Sequence, residues 1–203
     1  MILAIDTSTA NCSAAIFADD GALIDARDEV IGRGHAERLM PMIEELLVGR
    51  IPSRILIGCG PGSFTGLRVG LAAAHGMAIG WDIPLAGMSS LALLAAGTPG
   101  DGPVAAAMTG GHGELFVQAF DRPPLAPASE LLNLSPEAAA SAVATPLVVG
   151  SGAAMLVGAR GSGEAIDLDP SARNALLLPA PLRTLEPRPL YGRAPDARPR
   201  QAA

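Results

Sequence analysis

The chain has 203 residues, 49% of them hydrophobic, and a formal net charge of -6 at pH 7. This length and hydrophobic content allow a buried core, arranged as one domain or as two small ones. Because the sequence contains no lysine, we exclude mechanisms that need a Schiff-base lysine or the phosphate-binding lysine of a P-loop. Proteins that bind nucleic acid unaided usually carry a net positive charge, whereas the net charge of this chain is negative. We therefore expect any nucleic acid to be held through a partner.

Cysteine usage and the N-terminus both predict a cytoplasmic protein. Cys12 and Cys59 are the only cysteines, too few for a disulfide framework or a thiolate metal site, and we expect two buried thiols in a reducing compartment. Residues 1–5 have no basic character and Asp6 interrupts the apolar run, so we do not interpret them as a signal peptide. The uncharged stretch 138–159 contains proline and a glycine cluster, which argues against a membrane span.

The first hundred residues alternate between strand and helix patterns. We predict strands at 2–5, 12–18 and 22–30, followed by an amphipathic helix at 34–48. A strand at 54–59 then leads to a helix at 66–80, which is capped by Ser63 or Thr65. A strand at 83–88 and a helix that ends at residue 96 complete this part of the chain. The helix at 66–80 carries only Arg68 and His75 as strongly polar side chains, so we expect most of its surface to be covered.

Residues 98–103 are rich in proline and glycine and predict a linker, so a first domain is expected to span residues 1–100. The remainder, 101–190, predicts strands at 104–108, 114–120 and 147–150 and a helix capped by Ser135, which suggests a smaller second domain. Proline and arginine dominate the C-terminal end, and residues 191–203 are expected to form an irregular tail.

Three motifs carry a resemblance to a known family. Ile2 to Ser8, His35 to Pro41 and Gly60 to Arg68 together resemble the TsaB family, with fainter later similarity at Gly113-Glu114 and Pro189-Leu190-Tyr191. The chain departs from that family at Thr109-Gly110-Gly111, where an Asp-Ala-Arg sequence is usual. The resemblance implies an α/β fold of the actin-like ATPase superfamily: a ribonuclease H-like mixed sheet flanked by helices, followed by a reduced second domain of the same type.

The resemblance also implies a function. A TsaB-type protein is a non-catalytic scaffold and activator in the complex that transfers a threonylcarbamoyl group to N6 of the adenosine next to the tRNA anticodon. The implied partners are a TsaD-type catalytic paralogue and a TsaE-type ATPase, with tRNA contacted only through the complex and no membrane involved. We expect no cofactor on the isolated chain, ATP and a metal on partner subunits, and a homodimer when the chain is alone.

We assign the partner interface to the helices at 34–48 and 66–80. Its predicted residues are His35, Glu37, Arg38, Leu39, Arg68, Gly70, Leu71, Ala74, His75 and Ala78. The loop expected to organise this interface consists of Gly60, Pro61, Gly62, Ser63, Phe64, Thr65 and Gly66; alternatively, its glycines only serve the strand-to-helix turn. Gly70 and Ala74 permit close approach of a second helix, from the same chain or from a partner.

Two weaker patterns support an alternative function, a small ATP-dependent kinase or hydrolase of the same superfamily. Asp6, Thr7 and Ser8 could form a phosphate-facing turn, or Asp6 could simply cap its own backbone. Gly150-Ser151-Gly152 follows a strand but lacks the third glycine of a dinucleotide fingerprint. No catalytic residue and no metal site is predicted, because His35 is followed four positions later by Leu39, and His75 and His112 lie in other segments.

Overall fold

The computed structural model describes residues 1–190, and the predicted tail at 191–203 lies outside the described residues. The first half contains β1 (Ile2–Asp6), β2 (Asn11–Phe17), β3 (Leu23–Val30), α1 (His35–Leu47), β4 (Arg54–Gly58), α2 (Phe64–Trp81), β5 (Leu85–Met88) and α3 (Ser90–Gly97). The second half contains β6 (Val104–Thr109), β7 (Leu115–Asp121), β8 (Ala126–Pro127), β9 (Leu132–Leu134), α4 (Pro136–Ala142), β10 (Leu147–Val149), α5 (Ala153–Arg160), β11 (Glu164–Ile166) and α6 (Ala180–Arg183). Short 3₁₀ helices lie at Gly111–Gly113 and Ala172–Leu177.

The two sheets repeat one strand scheme. The first has the order β3-β2-β1-β4-β5, in which β1 is antiparallel to β2 and parallel to β4. The second has the order β11-β10-β6-β7-β8, with β9 also paired to β7, and its central β6 is antiparallel to β7 and parallel to β10. This repeated α/β arrangement of mixed sheets flanked by helices confirms the predicted fold class.

Three apolar layers separate the sheets and helices. Strand residues alternate between the two faces of a sheet, so Leu3 and Ile5 pack under α1 and α2, whereas Ile2 and Ala4 face the opposite way. That opposite face shares one core with α3, the 3₁₀ helix at Ala172–Leu177 and the inner face of the second sheet. The third layer lies between the second sheet and the helices α4 and α5.

The C-terminal part of the described chain returns to the first sheet. Leu185 exchanges backbone hydrogen bonds with Gly87 at the edge of β5 (2.7 and 2.9 Å), and Leu190 N donates to Cys59 O (2.8 Å). Asn11 and Ser13 of β2 also bond the backbone of Pro170 and Ala172. The predicted domain boundary near residue 100 stays a proposal. Because the C-terminal segment returns to the first sheet, we propose that residues 170–190 belong to the first domain, together with residues 1–100.

Among the described residues, no helix is both long enough and apolar enough to cross a membrane.

Candidate functional site

The polar turn after β1 is occupied by its own neighbours. Asp6 Oδ1 accepts hydrogen bonds from Ser8 N (2.9 Å) and Ser8 Oγ (2.6 Å), and Asp6 Oδ2 accepts one from Ser90 Oγ (2.6 Å). Burial raises the pKa of Asp6, and the hydrogen bonds from Ser8 and Ser90 oppose that rise. The carboxyl group therefore joins the end of β1 to the start of α3.

The neighbouring polar side chains also point inward. Thr7 Oγ1 donates to Gly66 O (2.8 Å), and Asp6, Thr7 and Ser8 are all at most 1% exposed. In this arrangement, none of the three presents a free polar group to a phosphate. It matches the alternative considered from the sequence, a turn aspartate that bonds its own backbone.

The glycines of the loop before α2 are required by this turn. A Cβ on Gly62 would overlap the carbonyl oxygen of Ser8, and a Cβ on Gly66 would overlap that of Thr7. Gly60 and Pro61 are likewise buried, whereas Ser63, Phe64 and Thr65 are exposed. Ser63 Oγ caps α2 by accepting from Gly66 N (3.2 Å), so the loop fixes where the helix begins.

Four of the six predicted interface residues on α2 are buried within this chain. Leu71, Ala74 and Ala78 are at most 9% exposed and pack against the first sheet. A Cβ on Gly70 would overlap Thr7 Oγ1, so the close approach that this glycine permits is made to the turn after β1. The prediction for these four positions is corrected: in this structure they contact the same chain and are not open to a partner.

The outward face of α2 is small and apolar. Ala72, Gly76 and Gly80 repeat every fourth residue, and a Cβ added to Gly76 or Gly80 would meet no heavy atom within 4 Å. Ile79 beside them is 81% exposed. Three small residues at this spacing allow another helix to approach the backbone closely.

The flank of α2 away from α1 carries its basic side chains. The Arg68 guanidinium carbon lies 3.5 Å from the centroid of the Phe64 ring, and Phe64 is 56% exposed. His75 Nε2 is 3.0 Å from the carbonyl oxygen of Pro187, in the returning C-terminal segment. An exposed aromatic ring with a stacked arginine is the side-chain combination that often dominates binding at protein interfaces.

Helix α1 divides its predicted residues in the same way. His35 and Leu39 are buried, and His35 Nε2 has no hydrogen-bond partner among residues 1–190. Arg38 is half-buried and bonds Glu29 Oε2 (2.7 Å) and Glu45 Oε1 (2.8 Å), which lowers the pKa of both carboxyl groups. Arg38 therefore fastens α1 to β3.

The exposed side of α1 combines carboxylates with apolar groups. Glu37 and Glu44 are exposed, and so are Met40 (45%) and Val48 (75%). We use the name α1–α2 face for the outward surface of both helices, formed by Glu37, Met40, Glu44, Val48, Phe64, Arg68, Ala72, His75, Gly76, Ile79 and Gly80. Exposed apolar patches are typical of interaction sites.

Two cavities lie beside this surface. One of about 600 Å³ is lined by the N-terminal ends of both helices, including His35, Glu37 and Val69. A smaller one of about 280 Å³ opens between the two sheets and is lined by the hydroxyl residues Ser8, Thr9, Ser63, Thr109 and Ser151 and by Asp169.

The glycine pattern after β10 is explained by packing. Gly150 N donates to Ile166 O (2.9 Å) and Gly152 N donates to Ala107 O (3.0 Å), so both amides are used within the second sheet. A Cβ on Gly150 would overlap the carbonyl oxygen of Ala107. Within residues 1–190, no three His, Cys, Asp or Glu side chains come together as metal ligands.

Sequence reasoning misses most of the outward positions of α2. It assigns Phe64 only to the loop and gives no role to Ala72, Gly76, Ile79 and Gly80. A signal is present, because Leu67, Leu71, Met77 and Ala78 follow the helical repeat and mark the inner face of α2.

Comparisons with known proteins converge on one group. A family model described as TsaD, tRNA N6-adenosine threonylcarbamoyltransferase, matches residues 28–122. The chain is 37% identical over 129 residues to the tRNA threonylcarbamoyladenosine biosynthesis protein TsaB of Escherichia coli K12. That match covers 60% of this chain and 55% of the relative, so it spans about half of the relative's length.

Two solved structures of Pseudomonas aeruginosa proteins match over nearly the whole chain. The first, described as an uncharacterized protein similar to the peptidase YeaZ, is 30% identical with a TM-score of 0.81 and covers 95% of this chain and 99% of its own. The second, described as YeaZ, is 30% identical with a TM-score of 0.78 and covers 94% and 98%.

Proposed function

This chain belongs to the TsaB/YeaZ family, and from that premise we propose that it is a non-catalytic scaffold and activator subunit in tRNA threonylcarbamoyladenosine synthesis. In this proposal it binds a TsaD-type catalytic paralogue, which transfers the threonylcarbamoyl group to N6 of the adenosine next to the anticodon. A TsaE-type ATPase completes the complex, and tRNA reaches this chain only through the assembly, in the cytoplasm.

The observation that carries the proposal is the α1–α2 face. Ile79 is 81% exposed on a helix whose outer side otherwise offers Ala72, Gly76 and Gly80. Leaving such a surface in water forgoes the free energy of burying it, roughly 25 cal/mol per Å² of apolar area. Docking of a matching helix pair would cover it, and the missing Cβ atoms at Gly76 and Gly80 leave room for backbone contact.

The smaller cavity, which opens between the two sheets, has few groups that could bind the nucleotide of an ATP-dependent kinase or hydrolase, the alternative function. Among the described residues, its lining contains Asp169 and hydroxyl groups but no arginine. The carboxyl group of Asp6 is already hydrogen-bonded on both oxygens. A nucleotide phosphate placed there would lie near the carboxylate of Asp169 with no arginine of the lining beside it, so Mg²⁺ would have to supply the balancing charge.

We test the docking role by placing an arginine in the α1–α2 face. Ala72→Arg introduces bulk and charge where a partner helix should approach, whereas Ala159→Arg makes the same change at an exposed position of α5. Burial of an unpaired charge is costly, so we expect Ala72→Arg to weaken binding of the TsaD-type paralogue by about a hundredfold or more in isothermal titration calorimetry. Ala159→Arg should bind like the wild type.

Thermal unfolding of both variants shows whether the fold is retained. If Ala72→Arg folds normally and binds with unchanged affinity, the α1–α2 face is not the docking site. The alternative function is tested separately, by titrating the isolated chain with ATP and Mg²⁺ and by assaying hydrolysis. We expect neither binding nor turnover without the partners, and magnesium-dependent turnover that disappears in Asp6→Ala would reverse the proposal.

A further inference from the structure

The larger of the two cavities is lined by the N-terminal ends of α1 and α2 and by the residues just before α1. Gly34 is the N-cap of α1, and within residues 1–190 no side-chain hydrogen bond caps this helix end. At the end of α2, Ser63 Oγ accepts only from Gly66 N. Amide groups at a helix N-terminus carry a partial positive charge, so two such ends beside one cavity favour a negatively charged group there.

His35 forms a buried part of the same lining. The residue is 7% exposed, and its Nε2 has no hydrogen-bond partner within residues 1–190. Most buried polar side-chain atoms in folded proteins are hydrogen-bonded, so an unpaired ring nitrogen beside a cavity calls for an explanation. A carboxylate held in the cavity would supply an acceptor to this ring.

Two opposite charges complete the lining. Arg33 and Glu37 are both exposed, and neither side chain forms a hydrogen bond or an ion pair with another described residue. The carboxylate of Glu37 lies close to the start of α1, because a Cβ on Gly34 would be 3.6 Å from Glu37 Oε2. Arg38, the next basic residue of α1, is already bonded to two carboxylates and is not part of the lining.

This combination of groups favours a ligand that carries both charges. A carboxylate is attracted by the two helix ends, Arg33 and His35, and an ammonium group is attracted by Glu37. A polyanion such as a phosphate would be repelled by Glu37. Among the described residues, no three His, Cys, Asp or Glu side chains come together to hold a metal ion. The volume of about 600 Å³ is sufficient for a small organic molecule.

We propose that this cavity binds a free α-amino acid with a small side chain. Arg33, His35 and the amide groups of the helix ends hold its carboxylate, and Glu37 holds its ammonium group. The side chain of the ligand then lies against Ala36 and Val69, the apolar residues of the lining. This binding activity goes beyond the docking role and is a property of the isolated chain, so its test does not depend on a partner.

L-alanine and two analogues that each lack one charge test the class of ligand. Propionate has no ammonium group and ethylamine has no carboxylate. Each should therefore bind the full-length chain at least about tenfold more weakly than L-alanine in isothermal titration calorimetry. An analogue that binds as tightly as L-alanine would overturn the proposal, and so would the absence of detectable binding by L-alanine.

Variants that remove single charges locate the site. Arg33→Gln and Glu37→Gln should each weaken L-alanine binding about tenfold or more, because each removes one charged partner of the ligand. Arg54→Gln and Glu44→Gln make the same changes at exposed positions outside the lining and should bind like the wild type. Thermal unfolding shows whether each variant is folded. Unchanged binding by either Arg33→Gln or Glu37→Gln would overturn the assignment of the cavity.

The histidine rings provide a readout that does not depend on protein stability. The chain contains three histidines, His35, His75 and His112, and of these only His35 lines the cavity. Saturation with L-alanine should shift the ring nitrogen signals of His35 in NMR spectra and leave those of the other two in place. The exposed side chains of His75 and His112 allow substitution by glutamine to assign the signals without altering the buried ring. His35 signals that stay unshifted at saturation would contradict the proposal.

Discussion

Two glycines of α2 provide a sharp test of which side of the helix faces the sheet. Gly70 and Gly76 both lie inside the helix, so replacing either by alanine gains about 1 kcal/mol of helix propensity. Their surroundings differ. At Gly76 a Cβ meets no heavy atom within 4 Å, whereas at Gly70 it would overlap Thr7 Oγ1 and lie 3.2 Å from Ile57 Cδ1.

The magnitudes follow from these contacts. Gly76→Ala should stabilise the protein by about 0.5–1 kcal/mol, since nothing opposes the gain in propensity. Gly70→Ala adds an overpacking cost of about 1–3 kcal/mol. It also disturbs the hydrogen bond from Thr7 Oγ1 to Gly66 O, which contributes about 1 kcal/mol. After the gain in propensity, we expect a net loss of about 1–3 kcal/mol.

Differential scanning calorimetry and urea unfolding measure both changes. For a chain of this length, each 1 kcal/mol moves Tm by about 2–4 °C, so Gly76→Ala should raise Tm by about 1–4 °C and Gly70→Ala should lower it by about 2–12 °C. A Gly70→Ala variant as stable as the wild type, or a Gly76→Ala variant less stable than Gly70→Ala, would contradict this expectation. Either result would mean that the inner and outer faces of α2 are exchanged.

Two further changes address hydrogen bonds between segments that are distant in sequence. Burial raises the pKa of Asp28, but hydrogen bonds led by that from Ser13 outweigh it and leave the pKa below its usual value. The stabilisation by Asp28 is therefore complete above the unfolded pKa of about 3.9 and is lost as pH falls through the folded pKa. The difference in unfolding free energy between wild type and Asp28→Ala, measured by urea unfolding, should therefore shrink on acidification. An unchanged difference down to about pH 2 would contradict this. Arg122 donates to the carbonyl oxygens of Ala95, Thr98 and Gly102, and Arg122→Met should cost about 1.5–3 kcal/mol in the same measurement, whereas a neutral effect would show that the linker does not depend on it.

The strands and helices that carry strong local patterns can be predicted from the sequence. The hairpin of β2 and β3 follows from Asp20-Gly21 between alternating segments, and α2 begins after the predicted cap Ser63. Short elements such as β8 and β9 escape prediction, because two or three residues carry too little periodicity and depend on pairing with β7.

The orientation of side chains is harder to predict than the elements. Glycine and alanine have too little apolar surface to show which way they face, so the prediction places Gly70 and Ala74 outward although they contact the sheet. The hydrogen-bond partners of Asp6 are equally hard to predict. Its role depends on Ser90, which is 84 residues away in sequence, and no local pattern reports such a partner.

The return of the C-terminal segment to the first sheet has a consequence for folding during synthesis. Leu185 pairs with Gly87, and Ala172 N donates to Ser13 Oγ, so contacts of the first sheet are completed only after residue 185 has been synthesised. Translation proceeds at about 5–20 residues per second, so the N-terminal strands wait several seconds or longer on the ribosome for their last neighbours. During that interval the edge of β5 and the side of α3 that packs against Ala172–Leu177 are open to water.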